Sequence, residues 1–416
     1  EGALPRSRVP IYFLEHDRFF GRAGGFYGDD RGEGYLDNDN RFAFLCRGAL
    51  ELCKALDFLP DVIHVHDWQT AVIPVYLNTI YRDGPLGRAG TLLTIHNMAY
   101  QGAFYEGLMD VLDVGWEHFN FLELEFRNLV NLLKGGLYHA TLLNAVSPTY
   151  AREIQGSEFG CGLEGVARER AGDLHGILNG IDYDEWNPET DPFIAANYSA
   201  TRLAGKAACK ADLQTAFGLP VRPRVPVVGL VGRLVHQKGI DVLAQALPRL
   251  LELDLQVVLL GNGEAWAQEH FPKVARENPG RFGCTIGFDN RLAHKIEAGS
   301  DFFLMPSRFE PCGLNQLFSL RYGTLPIVRA VGGLNDTVEN FDERTGAGTG
   351  FKFDDLTPGA LFDTVGWAVY SYYNEPKLLK QLITRAMGKR FTWDDSARRY
   401  EELYYEAVRR RTGAGA

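Results

Sequence analysis

This sequence has fewer basic than acidic residues, and it has no long apolar run. Its 43 lysine and arginine residues face 53 aspartate and glutamate residues, which leaves a formal net charge of −10. Nucleic acid is therefore not expected as a partner, because binding along a phosphate backbone requires a basic surface. No apolar run has the length of a membrane span and no signal peptide is evident. We therefore expect no membrane partner and a cytoplasmic location.

Cysteine pairs and the common nucleotide-binding patterns are also missing. The six cysteines form no Cys-x-x-Cys pair, and over 416 residues they are more typical of reduced thiols than of a disulfide framework. No P-loop pattern occurs. Gly261–Gly263 follows a predicted strand, but Trp266 stands where the dinucleotide fingerprint requires a glycine. A nucleoside diphosphate can still bind through basic residues and glycines elsewhere in the chain, and no cofactor is expected.

What the chain does contain is an alternation of short buried strands and amphipathic helices. One helical segment shows the i, i+3, i+4, i+7 spacing of a buried stripe, at Leu243, Ala246, Leu247 and Leu250. Apolar runs without polar alternation predict strands that are covered on both faces. These runs lie at 62–65, 92–95, 225–231, 255–260, 302–305 and 325–328. The order predicts an α/β fold with mainly parallel sheets.

A domain boundary is predicted where turn residues cluster and strands stop. This stretch runs from Asp182 to about Arg224 and includes Pro220 and Pro223. We place one domain at 1–190, with 394–416 packing back on it, and a second domain at 191–393.

Polar residues follow two predicted strands of the first half. His64–Trp68 (HVHDW) and Thr94–Asn97 (TIHN) lie at carboxyl ends of strands, where open α/β sheets bind their ligands. The first segment is equally consistent with a strand end whose polar groups are satisfied. A zinc site there lacks an evident third ligand. His96 and Asn97 can bond sugar hydroxyls, although that pair alone is weak evidence.

Three segments of the second half combine strand ends with groups suited to an anion. In Gly232–Gly239, Arg233 and Lys238 are close enough along the chain to reach one phosphate ligand at the start of a helix. The alternative is a solvated basic turn.

The other two segments are Pro306–Leu314 and Val331–Leu334. In the first, Glu310 is either a ligand or a helix cap. In the second, paired glycines let backbone N–H groups approach an anion closely.

Taken in order, these segments closely resemble the bacterial glycogen synthase (starch synthase) family, which uses ADP-glucose. The resemblance runs from Val9 to Tyr404. Besides the segments above, its motifs are Asn40–Phe42, Met98–Gly102, Ala145–Tyr150 (AVSPTY), Leu178–Asp182 (LNGID) and Tyr322–Thr324. It implies a GT-B glycosyltransferase: two Rossmann-like domains facing across a cleft, with the last helix crossing back to the first domain.

The same resemblance implies the activity and the site. Glucose would move with retention from ADP-glucose to the non-reducing end of glycogen or another α-1,4-glucan. The residues themselves require no metal. Donor groups would be Arg233, Lys238, Gly332 and Gly333 at the pyrophosphate, Glu310, Cys312, Gly313 and Leu314 at the glucose, and Phe288 at the adenine. His96 would contact the sugar near its reacting carbon, and the acceptor side would be lined by Asp67, Trp68, Asn97 and Asn179. Glu310, His96, Arg233 and Lys238 would form the catalytic set.

Two departures qualify the resemblance. Related retaining transferases carry a second glutamate eight positions after the first, where Phe318 stands here. Glycogen synthases lack that glutamate too, which favours the narrower family. The family also opens with a Lys-x-Gly-Gly-Leu loop. No such loop precedes Val9, and Arg22–Phe26 is in the wrong place, so we expect the family's N-terminal segment to be missing from this chain.

Two rival interpretations stay open. One is a glucan phosphorylase that uses pyridoxal phosphate, although no lysine context suits a Schiff base. The other is a catalytically inactive glucan-binding protein.

Overall fold

The computed structural model describes residues 2–5, 7–29 and 33–413 of the 416-residue chain. The strands are β1 (Gly2–Ala3), β2 (Pro10–Ile11), β3 (Val62–His66), β4 (Gly90–Ile95), β5 (Ala103–Phe104), β6 (Glu125–Phe126), β7 (Leu129–Asn131), β8 (Leu142–Ala145), β9 (Leu174–Gly176), β10 (Val227–Leu234), β11 (Gln256–Gly263), β12 (Phe282–Ile286), β13 (Phe302–Met305), β14 (Leu325–Arg329) and β15 (Phe351–Phe353). All six predicted strands are confirmed, with ends that differ by a few residues.

Helices alternate with these strands through most of the chain. They are α1 (Asp17–Phe20), α2 (Asn38–Ala55), α3 (Asp67–Thr70), α4 (Val72–Asn78), α5 (Leu108–Leu112), α6 (Leu132–His139), α7 (Pro148–Glu153), α8 (Glu164–Glu169), α9 (Ala204–Ala216), α10 (Ile240–Leu250), α11 (Ala265–Glu277), α12 (Asn290–Gly299), α13 (Asn315–Tyr322), α14 (Gly332–Thr337), α15 (Pro358–Asn374), α16 (Pro376–Gly388) and α17 (Trp393–Thr412). Single 3₁₀ turns lie at 85–88, 116–118, 171–173 and 236–238. Among the described helices, none combines the length and the apolar composition that a bilayer span needs.

The described residues form two compact units. The first unit lies within 1–145, 153–175 and 399–416, and the second comprises 146–152 and 176–398. These bounds differ from the predicted domains, because 146–152, 176–190 and 394–398 belong to the second unit. Thr149 N donates to Asp336 Oδ2 (2.7 Å), and Ile181 N donates to Phe391 O (3.0 Å). Residues 414–416 of the predicted returning segment lie outside the described residues.

The first unit is built on a sheet with the order β3-β4-β8-β9, in which β3, β4 and β8 pair in parallel. Every residue of β4 is buried, as its continuous apolar run predicts. Part of helix α17 packs against this sheet. Gly90 at the start of β4 makes the close approach possible, because a Cβ there would lie 2.8 Å from the carbonyl carbon and oxygen of Ala407.

The second unit is built on a six-stranded parallel sheet with the order β12-β11-β10-β13-β14-β15. The predicted helical stripe is confirmed in α10, where all four of its residues are buried in the core. Burying a leucine side chain of this kind contributes about 1.5–3 kcal/mol. Since β10, β13 and β14 are neighbours and run parallel, their carboxyl ends meet at one edge of the sheet, where such folds bind ligands.

Candidate active site

Three segments of the second unit come together at the shared carboxyl edge of β10, β13 and β14. They are the 3₁₀ turn at 236–238, the loop at 306–314 and the start of α14. Arg308 N donates to Gln237 O (2.8 Å), which joins the first segment to the second. Gly333 N donates to Glu310 O (3.0 Å), which joins the second to the third. The backbone thus assembles the three segments that the sequence singles out.

Lys238 and Glu310 form an ion pair at the centre of this assembly. Lys238 Nζ lies 2.5 Å from Glu310 Oε2, and Ser307 Oγ donates to the same oxygen (3.0 Å). The Glu310 side chain is only 7% exposed. The helix-cap interpretation of Glu310 is wrong, because α13 begins five residues later and its N-cap is Leu314. Glu310 is instead a buried carboxylate held against a cation.

Glycines at the start of α14 permit a very close backbone approach. Gly332 has a φ of +45°, and a Cβ there would lie 2.0 Å from Glu310 O. A Cβ on Gly333 would lie 2.1 Å from Cys312 O. However, Gly333 N–H donates to the carbonyls of Glu310 and Pro311. It is therefore not directed at an anion site in this structure, in contrast to the prediction. These glycines serve the packing of α14 against the Glu310 loop.

The basic turn differs in detail from the predicted helix start. Arg233 lies within the last residues of β10, where its side chain is exposed and Nη2 donates to Gln237 Oε1 (3.3 Å). Helix α10 begins only after the 3₁₀ turn, at Ile240. Gly239 between them has a φ of +68°, and a Cβ there would lie 1.8 Å from Pro306 O. Arg233 and Lys238 therefore flank one turn that is packed against the 306–314 loop.

The remaining predicted donor residues have different degrees of exposure. Cys312 is buried, and burial raises the pKa of its thiol to about 12, so it stays protonated at neutral pH. Gly313 has a φ of +71°. Leu314 is 42% exposed and Phe288, which follows β12, is 92% exposed. A ring as open as that of Phe288 is available to stack on a flat ligand.

Asn179 lies in the second unit. Its predicted place on the acceptor side implied the first unit instead. Its backbone amide bonds to the Cys312 thiol. This contact places Asn179 beside the Glu310 loop. The prediction of its unit is therefore wrong, because the second unit includes the chain from residue 176 onward and not only from 191.

In the first unit, Asp67 organises the ends of β3 and β4. Asp67 has a φ of +51° and its Oδ1 accepts from His96 N (2.7 Å) and Asn97 N (3.2 Å). His66 Nδ1 lies 3.1 Å from His96 Nε2. Burial raises the pKa of Asp67 to about 6 and lowers the pKa of both histidines. Both imidazoles are therefore mainly neutral at pH 7, and one donates an N–H to the other.

Two residues of the same segment are structural. His64 bonds through Nδ1 to Tyr404 Oη (2.9 Å) and through Nε2 to Thr94 Oγ1 (2.7 Å), so its polar groups are satisfied within the unit. Trp68 is only 9% exposed and packs against Phe42, with ring centroids 4.8 Å apart. The predicted role of Trp68 at the acceptor does not fit this burial.

Comparison with known proteins identifies the family. The family model for the starch synthase catalytic domain matches residues 2–169, and that for glycosyl transferases group 1 matches residues 215–386. Glycogen synthase 1 of Geobacter sulfurreducens is 62% identical over all of this chain, which covers 83% of that protein. The chain belongs to the glycogen synthase family. A second member, from Anaeromyxobacter sp., is 51% identical over 96% of this chain and 84% of its own length.

Solved structures confirm the predicted GT-B fold with two Rossmann-like domains. The catalytic domain of starch synthase IV from Arabidopsis thaliana, bound to ADP and acarbose, matches with a TM-score of 0.87 and 35% identity. The match covers 95% of this chain and 81% of that one. Sucrose-phosphate synthase from Thermosynechococcus elongatus, at 17% identity and a TM-score of 0.59, covers 92% of this chain and 82% of its own, and shares the fold alone.

Within this glycogen synthase family member, Phe318 is a packing residue. Its ring stacks on Trp186 with centroids 3.8 Å apart, and Trp186 stacks on His294 at 3.9 Å. The position that carries a second glutamate in related transferases is therefore filled by an aromatic stack, which offers no carboxylate to a ribose.

One supporting network at the site was missed by the sequence reasoning. Arg308 Nε lies 2.6 Å from His236 Nε2, and its Nη2 pairs with Asp241. His236 N also donates to Glu264 Oε1 (2.7 Å). These contacts hold the turn that ends at Lys238. A signal was available, since Arg308 lies two residues before Glu310 in the same motif.

Proposed function

We propose that the chain transfers glucose from ADP-glucose to the non-reducing end of an α-1,4-glucan, with retention of configuration. The observation that carries this proposal is the Lys238–Glu310 pair at the edge where β10, β13 and β14 end. It places a cation suited to a donor phosphate beside a carboxylate suited to glucose hydroxyls. The names of the relatives, and the ADP and acarbose bound to the plant starch synthase, support the same donor and acceptor.

The donor is assigned to the second unit. Arg233 and Lys238 bind its pyrophosphate, because both cations flank one turn and Lys238 already reaches the Glu310 carboxylate at the same edge of the sheet. Glu310 accepts from glucose hydroxyls once Lys238 turns to the phosphate. Backbone N–H groups of Cys312, Gly313 and Leu314 complete the glucose contacts, and Phe288 stacks on the adenine.

The first unit supplies neutral hydrogen-bonding groups. His96 contacts the sugar near its reacting carbon, since its desolvated imidazole is neutral and both donates and accepts. Asp67 fixes the His96 and Asn97 backbone, which orients both side chains. A neutral imidazole such as that of His96 can both donate to and accept from a sugar hydroxyl, which carries no charge.

The reaction breaks the bond between glucose C1 and the β-phosphate oxygen and forms a bond from C1 to the acceptor O4. ADP leaves with the bonding electron pair, and Arg233 and Lys238 stabilise its growing negative charge. Attack occurs on the face from which ADP departs, and the phosphate oxygen takes the acceptor proton. Glu310 offsets the positive charge that develops on the sugar ring.

Incorporation of labelled glucose into glycogen tests the proposal. ADP-glucose should support it well and UDP-glucose poorly, and the product from a maltooligosaccharide should show new α-1,4 linkages by NMR. Faster transfer from UDP-glucose would contradict the assigned donor base. Glucan binding without transfer from either donor would favour the inactive glucan-binding protein. A cytoplasmic location remains part of the proposal.

A further inference from the structure

A second cluster of ligating side chains lies in the first unit, apart from the residues assigned to the reaction. His118 ends the 3₁₀ turn at 116–118, Glu123 lies in the turn before β6, and His139 is the last residue of α6. His118 Nδ1 and His139 Nε2 lie 2.7 and 2.8 Å from the same oxygen, Glu123 Oε2. Among the described residues, these three form the group whose ligand atoms are close enough to share a metal ion.

The cluster is held in place from both sides. Asn120 Oδ1 accepts from Glu123 N (3.2 Å), and Asn120 Nδ2 donates to Glu123 Oε1 (3.1 Å). This leaves Oε2 to the two imidazoles. Lys134, which is 3% exposed, donates from α6 to the carbonyls of Phe121 and Glu125. The turn that carries Glu123 is therefore anchored to the helix that carries His139.

We propose that His118, Glu123 and His139 form a binding site for a divalent transition metal, with Zn²⁺ as the ion best suited to it. Two imidazole nitrogens and one carboxylate oxygen are a donor set that zinc commonly takes, with water in the fourth position. The His118 side chain is 22% exposed, which gives the ion and its water access from solvent. Hard ions such as Mg²⁺ prefer oxygen ligands and should bind far less well.

Binding requires a small rearrangement that the structure can accommodate. Nitrogen and oxygen ligands at about 2.0–2.1 Å from a tetrahedral zinc lie roughly 3.3 Å apart, so each His–Glu distance must increase by about half an ångström. His118 is the ligand with the most freedom to move. The ion replaces the two hydrogen bonds that now converge on Glu123 Oε2. Each ring nitrogen facing that oxygen gives up its N–H to the ion, and each neutral ring then carries its proton on the other nitrogen.

Asn78 gives the proposal a distinctive consequence. Its Nδ2 lies 3.3 Å from His139 Nδ1 and donates to His139 O (2.9 Å). With zinc on Nε2, the ring must carry its proton on Nδ1, where the present amide group offers no acceptor. A carboxylate at this position would accept that proton and strengthen the ligand. Asn78→Asp should therefore bind zinc about 10-fold more tightly than the wild type.

Isothermal titration of the chelator-treated chain with ZnCl₂, and separately with MgCl₂, tests the site. We expect one zinc to bind per chain, at least about 10-fold weaker binding in His118→Gln and Glu123→Gln, and unchanged binding in the matched control His270→Gln on α11. Melting curves without metal establish that each variant is folded. Equal zinc affinity in wild type, His118→Gln and Glu123→Gln would place the ion elsewhere. Absence of zinc binding to both the wild type and Asn78→Asp would leave the cluster as a hydrogen-bonded anchor only. Neither readout depends on glucosyl transfer, so failure here leaves the proposed reaction untouched.

Discussion

The candidate site residues of the two units differ in charge: one cluster is largely neutral, and the other contains an ion pair. In the first unit, His66, Asp67 and His96 are desolvated and bonded to one another, and burial keeps the imidazoles neutral. In the second unit, Lys238 pairs with Glu310 next to an exposed Arg233. The first arrangement suits hydroxyl groups, and the second suits an anion. The contrast teaches that the neutral cluster binds its ligand through fixed hydrogen-bonding positions. The charged cluster instead binds by replacing the Lys238–Glu310 ion pair with contacts to the ligand.

The largest effect is expected when the Lys238–Glu310 ion pair loses its carboxylate. Glu310→Gln keeps the size of the side chain but removes the charge that offsets the developing positive sugar. We expect kcat to fall at least ~100-fold, about 2.7 kcal/mol of barrier. ADP, which lacks the sugar, should bind as well as before or more tightly, because the partner 2.5 Å from Lys238 loses its negative charge and competes less with the phosphate. Steady-state kinetics and ADP titration measure the two effects.

Its control is Glu277→Gln, which removes a carboxylate at the end of α11 that lies 3.9 Å from Lys273. Both variants should melt close to the wild type. If Glu310→Gln kept the wild-type kcat and only lowered the melting temperature, Glu310 would be a structural residue and the charged cluster would lose its catalytic role.

Removing the cation of the same pair should have the next largest effect. Lys238→Ala loses a charge-assisted contact with the donor phosphate worth ~1.5–3 kcal/mol, which corresponds to roughly 10- to 100-fold in kcat/KM. Arg233→Ala should behave similarly, toward the lower end because Arg233 is more exposed. ADP affinity should fall in both variants, in contrast to Glu310→Gln. Near-normal kinetics in both variants would mean that the turn at 236–238 does not bind the donor. Lys273→Ala is the matched control.

How far the sequence predicts this molecule depends on whether a feature is local. The sequence predicts strands such as β4 and β13 because strands buried on both faces lack regular polar alternation. The segments around Lys238 and Glu310 were found because they follow such strands, and parallel strands bring their carboxyl ends together. The glycines of Gly261–Gly263 were correctly rejected as a dinucleotide fingerprint. A Cβ on either glycine would meet β10 at 2.3 or 2.2 Å, so both permit the close pairing of β10 with β11.

Features that depend on the path of the backbone were missed. Asn179 belongs with Cys312, more than a hundred residues away, and nothing near it in sequence indicates this. Gly333 N–H bonds to Glu310 O, although paired glycines in a turn suggest a free anion site. The group of His118, Glu123 and His139 has no regular spacing, because its members come from two turns and a helix end.

A smaller effect should follow when Asp67 loses its charge. Asp67→Asn keeps an acceptor for His96 N and Asn97 N but turns two charge-assisted hydrogen bonds into neutral ones. The loss of about 1 kcal/mol predicts roughly 5- to 10-fold lower kcat/KM, with ADP affinity unchanged. Asp110→Asn, in the same unit on α5, is the matched control. A fall in ADP affinity in Asp67→Asn would contradict the assignment of donor and acceptor chemistry to separate clusters.

The last effect concerns acid stability rather than catalysis, and it depends on His64, which lies on β3 beside the neutral cluster. Burial, with lesser contributions from His66 and His96, lowers the pKa of His64 from 6.5 to about 3. Above pH 6.5 His64 is neutral in both the folded and the unfolded chain. As the pH falls from 6.5 toward 3, the unfolded chain takes up the proton and the folded chain does not, so the free energy of unfolding decreases.

At pH 5 this effect of His64 amounts to at most about 2 kcal/mol. His64→Gln cannot take up the proton. It should be less stable at pH 7, since it loses contacts to Tyr404 and Thr94, but its melting temperature should fall less between pH 7 and pH 5. Tyr404→Phe removes one of those contacts and keeps the imidazole, so it should retain the full acid sensitivity. If His64→Gln and Tyr404→Phe lost stability equally on acidification, the proton would bind elsewhere, and neutrality of His64 would not be what limits stability in acid.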